Sequence, residues 1–588
     1  MTMMDGLESR RIDGVTGDNE HNLHHNHHAP PPHHAPNGDG GGGGGDMELQ
    51  PRLSSTSTTA TVRRSLHRTR SQNGYGVSDG PSSDSDGQGE AAASAAAAAA
   101  ASENSGGGRP GSEKDPFEVG WDNGDEDPLC PRSFSKARKW LILFIVSHVS
   151  LCVTCASSIY TSTYAQMEAE FGNSRIVSVL GLSTFVLGLS CGPMLLSPLS
   201  EFFGRRPIYL VAWSMYLVWL VPQAVARGGH AIATVVVFRF LDGFSGSAFL
   251  AVSGGTVSDL FDRHELQGPM ALFSVSPFVG PGLGPLLGGF INYNVDWRWT
   301  YYVLLIWSFA LLLAIVFLVP ETYHPILLRN KARALRKQTG DDRWTAPSER
   351  VKKSVAHAVG LSLLRPFQLL LFEPMCLNLC LFSAILLGIL YLFFGAFPLV
   401  FGNNHGFNIW QTGLAFLGIM VSMFLGAATG PLWHRIRARL IRKYERETGV
   451  SGASEPEFRL PPAILGSVLA PTGLFMFGWS TYPWVHWIVP IIGSAVFGMG
   501  NMLLFMGIFT FLVDAYPLYA ASALAANTFV RCLFAAAFPL FGEQMYEKLG
   551  YQWASSLLAF LTVAMLPFPY IFFRHGKQIR RKSRFAKS

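Results

Sequence analysis

The sequence predicts an all-α polytopic membrane protein of twelve transmembrane helices, arranged as two six-helix bundles that repeat in the same orientation. Three observations predict it. The 588 residues are 49% hydrophobic and only 15% charged, with positive mean hydropathy, whereas soluble chains carry about a quarter charged residues. From Trp140 onward the apolar residues fall in runs of about 20, the length of helix that spans a bilayer core. Landmarks in the first six runs also recur in the last six.

Residues 1–137 read as a disordered cytoplasmic tail. A histidine-rich tract (His21 to His34), a glycine run (Gly40 to Gly45) and an alanine-rich stretch (Ala91 to Ala101) bury too little apolar surface to offset the entropy of ordering them. No carboxylate or thiol frame accompanies the histidines, so a metal site is not expected. Ser65 and Ser71 follow arginines, a pattern that suits kinases as partners of the tail. The first 20 residues lack an apolar core, so the first span serves as the insertion signal.

Spans one to six are expected at 140–163, 176–200, 207–227, 231–256, 268–291 and 299–320, within a first bundle at 138–320. A cytoplasmic central loop (321–370) leads to a second bundle at 371–574. Its spans, seven to twelve, are expected at 371–400, 409–431, 461–479, 486–513, 518–541 and 551–573, before a basic tail at 575–588. Twelve spans return both termini to one side. Arg132, Lys136, Arg138 and Lys139 precede span one and Arg205 and Arg206 follow span two. Basic stretches run from Arg329 to Lys353, from Arg435 to Arg446 and from Arg574 to Lys587. By the positive-inside rule the termini and central loop are cytoplasmic.

The formal charge of +6 is accounted for by this topology, and nucleic acid is not an expected partner because no basic face on a soluble domain is present. Six of the seven cysteines, including Cys152 and Cys155 in a C-x-x-C spacing, fall inside spans, where they act as small apolar side chains. No phosphate-binding glycine-lysine loop, metal-ligand cluster or nucleophile elbow appears. An enzyme or an ATP-driven pump is therefore not expected.

The repeat has a register. Ser197-Pro-Leu-Ser-Glu-Phe-Phe-Gly-Arg-Arg206 closes span two and Gly430-Pro-Leu-Trp-His-Arg-Ile-Arg-Ala-Arg439 closes span eight, with Leu199 and Leu432 233 residues apart. Asp259 ending span four matches Asp514 ending span ten at an offset of 255, and Trp297 matches Trp553 at 256. An insertion between Lys443 and Arg459 accounts for the jump. Six plus six in parallel is a transporter plan.

At the end of span two, Gly204 permits a tight reversal, Arg205 and Arg206 hold the loop at the headgroups, and Glu201 needs a cationic or helix-N-terminal partner. The string Ser197-x-Leu199-Ser200-Glu201-x-x-Gly204-Arg205-Arg206 resembles the signature between spans two and three of the major facilitator superfamily. Ser197 stands in place of a glycine, Glu201 of an aspartate and Phe202 of an arginine. The resemblance implies a gating role. In span five, Gly280, Gly284 and Gly288 recur every four residues as one smooth face for a close-packed helix, while Pro281 and Pro285 bend the span. The full string, ending Gly288-Gly289, is similar to the antiporter motif of that superfamily, which implies export in exchange for protons.

Further matches are Arg239-Phe-Leu-Asp-Gly243-Phe-x-Gly246-Ser-Ala248 in span four, Trp297-Arg298-Trp299, Pro320-Glu321-Thr322 and Val119-Gly120-Trp121-Asp122. In span eleven stand Asn527-x-x-x-Arg531 and Phe538-Pro539-Leu540-Phe541. Together they resemble the fungal branch of the twelve-span drug:proton antiporters, which includes polyamine and multidrug exporters. The resemblance runs from about Asp115 to Arg574. It implies alternating access by a monomer powered by the proton gradient without a cofactor, in the plasma membrane or, as the alternative, the vacuolar membrane.

Ionisable groups inside spans are costly and mark function. Arg239 and Asp242, three apart on span four, share a helix face and are expected to pair. With Arg531, Asp259, Glu201, Gly204, Arg205 and Arg206 they are the candidates for proton coupling and gating. Asp242 is one because burial favours the protonated form of a carboxylate. The resemblance places spans one, four, seven and eleven at the central cavity, nominating Tyr160, Tyr164, Phe249, Tyr391, Phe394 and Asn527 as substrate contacts. Aromatic walls suit amphipathic or cationic cargo. The expected activity is export of drugs, polyamines or a metabolite. Two alternatives stay open: a sensor that kept the fold and lost transport, and a proton-coupled importer.

Overall fold

A computed structural model describes residues 116–122, 124–228, 230–262, 265–350, 354–449 and 454–586. The histidine tract and the kinase sites at Ser65 and Ser71 lie outside them. With no water in a bilayer core to satisfy backbone groups, a spanning segment must bond within itself, and the apolar runs fold accordingly. Span one is Lys136–Ile159, continued through a 3₁₀ turn at Tyr160–Thr163 into Tyr164–Phe171. Spans two to six are Arg175–Phe203, Arg205–Ala224, Ala231–Leu260, Gln267–Asn294 and Arg298–Leu318. Span seven is Pro374–Phe397, and span eight comprises Ile409–Ala415 and Leu417–Ala428, prolonged by Gly430–Thr448. Spans nine to twelve are Pro461–Trp479, Ile488–Ala515, Ala520–Leu549, and Tyr551–Met565 with Pro567–Arg580.

Twelve crossings put the start of span one and the end of span twelve on one face, the terminal face. Glycines bring helices into backbone contact within each half. A Cβ on Gly188 of span two would stand 2.6 Å from the Phe244 nitrogen of span four, and one on Gly493 of span ten 2.5 Å from the Phe477 nitrogen of span nine. The repeat is visible as chemistry at the terminal face. Asp259 accepts from Arg205 Nε at 3.3 Å in the first half, and Asp514 accepts from Arg459 Nε at 2.6 Å with Arg437 at 3.6 Å in the second. The two tryptophan landmarks diverge: Trp297 is buried and donates to Glu170, while Trp553 is 61% exposed.

Among the described residues thirteen helices are long and apolar enough to cross a membrane, one more than the sequence reading expects. The additional helix, Val355–Phe372, falls in the expected central loop. Arg365 lies over the ring of Tyr519 at the terminal-face entry to span eleven, and Glu373, just past the helix, accepts from Tyr516 and Ser583 at that same face. Arg365, midway along the helix, and Glu373, just past its end, meet one face, so this part of the helix lies along it. Leu364, Leu371 and Phe372 point outward, as in a helix bedded in the membrane interface.

The expected tail boundary at 137 needs correction. Val119, Trp121 and Cys130 share an apolar cluster with Leu328, Ala332 and Ala346 of the central loop. The Val119 N–H donates to the Thr345 carbonyl at 2.9 Å, and Lys331 Nζ donates to Asp127 at 2.7 Å and Asp122 at 2.9 Å. Averaging composition over the whole tail hides these few apolar residues, whose partners lie two hundred positions away. Burial opposes ionisation of Asp127, but the Lys331 hydrogen bond and the Leu129 and Asp122 N–H groups outweigh it and hold the carboxyl below its usual range. A depressed carboxyl stabilises the docked form above its unfolded pKa and loses that contribution as pH falls through its folded value, so the strap stays charged near pH 7.

Candidate transport site

The terminal-face turn between spans two and three is built on a carboxylate that the sequence-based site left out. Gly204, at φ 101°, turns span two into span three, leaving the first N–H groups of span three without helical partners. Glu321, just past span six, supplies them. Its Oε1 accepts from Arg205 N at 2.9 Å and its Oε2 from Arg206 N at 3.1 Å, while Oε1 also takes the N–H groups of Thr322 and Tyr323. A Cβ on residue 204 would stand 2.9 Å from the Glu321 carboxyl carbon. Arg205 then reaches Asp259, Ser200 Oγ at 2.7 Å and the ring of Tyr323 at 4.5 Å, and Arg206 Nη2 donates to the Val316 carbonyl. The signal for Glu321 was an acid directly after an apolar run.

Arg239 is fully buried, and the expected ion pair with Asp242 does not form. Its Nε donates to the Gly181 carbonyl of span two at 3.2 Å, its Nη1 to Ala156 at 2.9 Å and its Nη2 to Ser157 at 3.0 Å on span one. The rings of Tyr160 and Phe185 each stand 4.4 Å from the guanidinium carbon. Span one leaves α-helical geometry at Tyr160, so the Ala156 and Ser157 carbonyls fall in a last helical turn, where partners are missing and partial negative charge collects. That site outcompetes the carboxylate three residues on.

Asp242 faces span three instead, where its Oδ2 accepts from Gln223 Nε2. Asp242 Oδ1, Gln223 Oε1 and the hydroxyls of Tyr216 and Tyr301 are all buried without a hydrogen-bond partner among the described residues. Two of these four atoms, Asp242 Oδ1 and Gln223 Oε1, are acceptors left without a donor. Gln223 was missed, although a lone amide in an apolar run is costly enough to notice.

The cavity candidates separate. Phe249 is a correction: it stacks on Tyr209 at 4.5 Å and meets Trp213 edge-on inside the first bundle, so it is core. Its apolar helix offered no periodicity to show which way it faced. Tyr160 covers Arg239. Tyr164 and Phe394 line a small pocket with Arg175 and Glu543, next to the ion pair in which Arg175 Nε meets Glu543 at 2.9 Å across the two bundles. Both aromatics lie toward the face opposite the terminal one. Tyr391 shares a 3.0 Å hydrogen bond with Ser157 across the bundles, and Asn527 Nδ2 donates to Ser383 Oγ at 2.7 Å. Arg531, on span eleven, lies over Phe505 of span ten at 4.5 Å and Phe278 of span five at 5.9 Å.

The helix that packs on the glycine face of span five is span one. A Cβ on Gly280 would stand 2.8 Å from the Cys155 nitrogen, one on Gly284 2.6 Å from the Ile159 nitrogen and one on Gly288 2.8 Å from the Ile159 carbonyl. Gly289 faces the other bundle, where a Cβ would stand 2.9 Å from the Ile409 carbonyl of span eight, and Gly413 packs back on Pro285. Span five is thus wedged between span one and the second half. Gly284→Val is expected to cut transport at least tenfold, since overpacking of about 1–3 kcal/mol falls on a helix that must slide. Transport per molecule at the membrane checks it; a rate within twofold of wild type would show that the close approach is dispensable.

The profile of the Major Facilitator Superfamily matches residues 146–539. The chain belongs to the major facilitator superfamily. Within the superfamily it is similar to "Efflux pump atB" of Aspergillus terreus, 54% identical over 463 residues that cover 79% of this chain and 89% of that protein. It is 42% identical over 476 residues to "Probable drug/proton antiporter YHK8" of Saccharomyces cerevisiae, covering 80% and 91%. It is 41% identical to "Major facilitator superfamily multidrug transporter mdrA" of Aspergillus fumigatus, covering 81% and 77%. The inward-open xylose transporter XylE from E. coli shares the superfamily fold at a TM-score of 0.53 and 15% identity over 73% of this chain and 96% of that one.

Proposed function

We propose that this chain exports a small organic molecule in exchange for protons by alternating access, as a monomer in the plasma membrane with its terminal face cytoplasmic and the proton gradient as its only energy source. The observation that carries the coupling is Asp242, a carboxylate sealed in the middle of span four that makes no ion pair among the described residues and has one oxygen lacking a partner. A group so placed is stable when protonated and costly when charged, which is the property a proton carrier alternates between. Arg239, pinned to spans one and two, links that carrier to the 3₁₀ break of span one. The relatives named efflux pump and drug/proton antiporter support the outward direction. The ties at the opposite face, Arg175 to Glu543 and Gly289 to Ile409, leave the cytoplasmic side as the loading side.

The test is efflux of a panel of aromatic acids, neutral azoles and cationic dyes from host cells lacking their own pumps. At least one member is expected to leave at least tenfold faster than from vector cells, and a protonophore is expected to abolish the difference with ATP maintained. Efflux that persists under the protonophore, or no difference for any member, overturns the reading.

A further inference from the structure

We infer that Arg531 is the counter-ion for an anionic cargo, a small aromatic carboxylate, held between the two bundles; the inference rests on the export reading above and names its substrate class. Arg531 stands eleven residues into span eleven, about 16 Å along the helix. Phe278, eleven residues into span five, and Phe505, ten residues from the terminal-face end of span ten, lie at matching depth. The guanidinium therefore sits near mid-membrane on the seam between the halves, with one ring from each.

Three other guanidinium groups in or at the ends of the spans find acceptors. Arg239 takes three carbonyls, Arg205 takes Asp259 and Ser200, and Arg175 takes Glu543. Arg531 makes no hydrogen bond or ion pair among the described residues, and its Nε is buried without a partner. The two rings compensate only in part, since a cation–π contact returns several-fold less than removing a charge from water costs. The residue is nonetheless only partly buried, so its outer nitrogens remain reachable. A cation held between two rings, with no acceptor beside it among the described residues, is a receptor for an anion.

The carboxylates settle the sign. Asp242 faces span three and is sealed, Glu543 is bound to Arg175 at the closed end, and Asp259 and Asp514 are bound to arginines at the terminal face. None of these acids stands uncommitted in the seam to hold a polyamine or a cationic dye. A carboxylate on the planar fork of Arg531 would set its ring against Phe278 and Phe505, and Tyr391, close enough to feel the Arg531 charge, would stand one helix away. Binding would thus join groups from both bundles, as a cargo site in this fold must. Exchange of one monoanion outward for one proton inward moves two charge equivalents, so transport should respond to membrane potential at zero pH difference.

The experiment uses the full-length chain in liposomes with [14C]hippurate and [3H]tetraphenylphosphonium as probes, and a potential imposed by potassium and valinomycin. Wild type is expected to move hippurate at least tenfold above protein-free liposomes, driven by potential alone, and hippurate is expected to raise its melting temperature in detergent. In Arg531→Gln the ratio of hippurate to tetraphenylphosphonium transport is expected to fall at least tenfold, with the hippurate-induced melting shift lost and Arg531→Lys intermediate. Proton-dependent movement of tetraphenylphosphonium without hippurate movement overturns the anion assignment and leaves the antiport reading standing. Equal loss of both probes in Arg531→Gln also overturns it, because the residue would then serve the cycle and not the cargo. If neither probe moves and hippurate produces no melting shift, the anion assignment falls, and failure of the whole-cell panel is what would bring down antiport as well.

Discussion

Arg239→Lys is expected to lower proton-coupled export at least about a hundredfold, with the protein still reaching the membrane. The guanidinium fork serves three carbonyls on two helices and lies between two rings. An ammonium is a single point charge and cannot reach Gly181, Ala156 and Ser157 in those directions. Hydrogen bonds to a charged group contribute about 1.5–3 kcal/mol each, so losing two removes about 3–6 kcal/mol, or two to four decades at about 1.4 kcal/mol per decade. The loss falls on transport because the anchored carbonyls mark the break in span one, opposite the glycine face of span five. Efflux normalised to surface-biotinylated protein measures it. If Arg239→Lys keeps more than a tenth of wild-type export, the fork is not what holds spans one, two and four in a working register, and a bulk positive charge suffices.

The fold was legible because a bilayer imposes one length on every crossing, and each of the twelve expected runs became a helix. The same solvent erases direction. A helix apolar on all sides carries no amphipathic stripe, so Phe249, two residues beyond Ser247 in a matched motif, read as a cavity wall and proved to be core between Tyr209 and Trp213. Glycine spacing survived the same uncertainty, since Gly280, Gly284 and Gly288 identify a face by what they lack. Helical spacing correctly put Arg239 and Asp242 near one another, but the carbonyls exposed by the 3₁₀ turn at Tyr160 come from another span and have no local signature. The helix Val355–Phe372 shows the converse error. Its composition is that of a span, and only the positions of Arg365 and Glu373 on one face reveal that it does not cross.

Asp242→Asn is the sharper probe of mechanism, because its effects on stability and on coupling should have opposite signs. Asparagine mimics the protonated acid. Its Oδ1 can accept from Gln223 Nε2 as Asp242 does now, and its amide can donate to Gln223 Oε1, which lacks a partner. An unsatisfied buried polar group costs about 1–3 kcal/mol, so the variant is expected to melt a few degrees higher than wild type in detergent. Coupling should fail. With no proton to release, export driven by a pH difference is expected to drop at least about thirtyfold, while exchange of labelled for unlabelled cargo, which moves no net proton, continues. Wild-type export should quicken as the outside is acidified, since external protons return the emptied carrier, and the variant should show no such dependence between pH 5 and 8. Asp242→Glu separates geometry from charge: it keeps a proton site but lengthens the side chain in a sealed pocket, so it should lower the rate and retain the pH dependence. Should Asp242→Asn keep both its gradient-driven rate and its response to external pH, the proton must ride elsewhere, and the unpartnered hydroxyls of Tyr216 and Tyr301 would mark only a structural polar cluster.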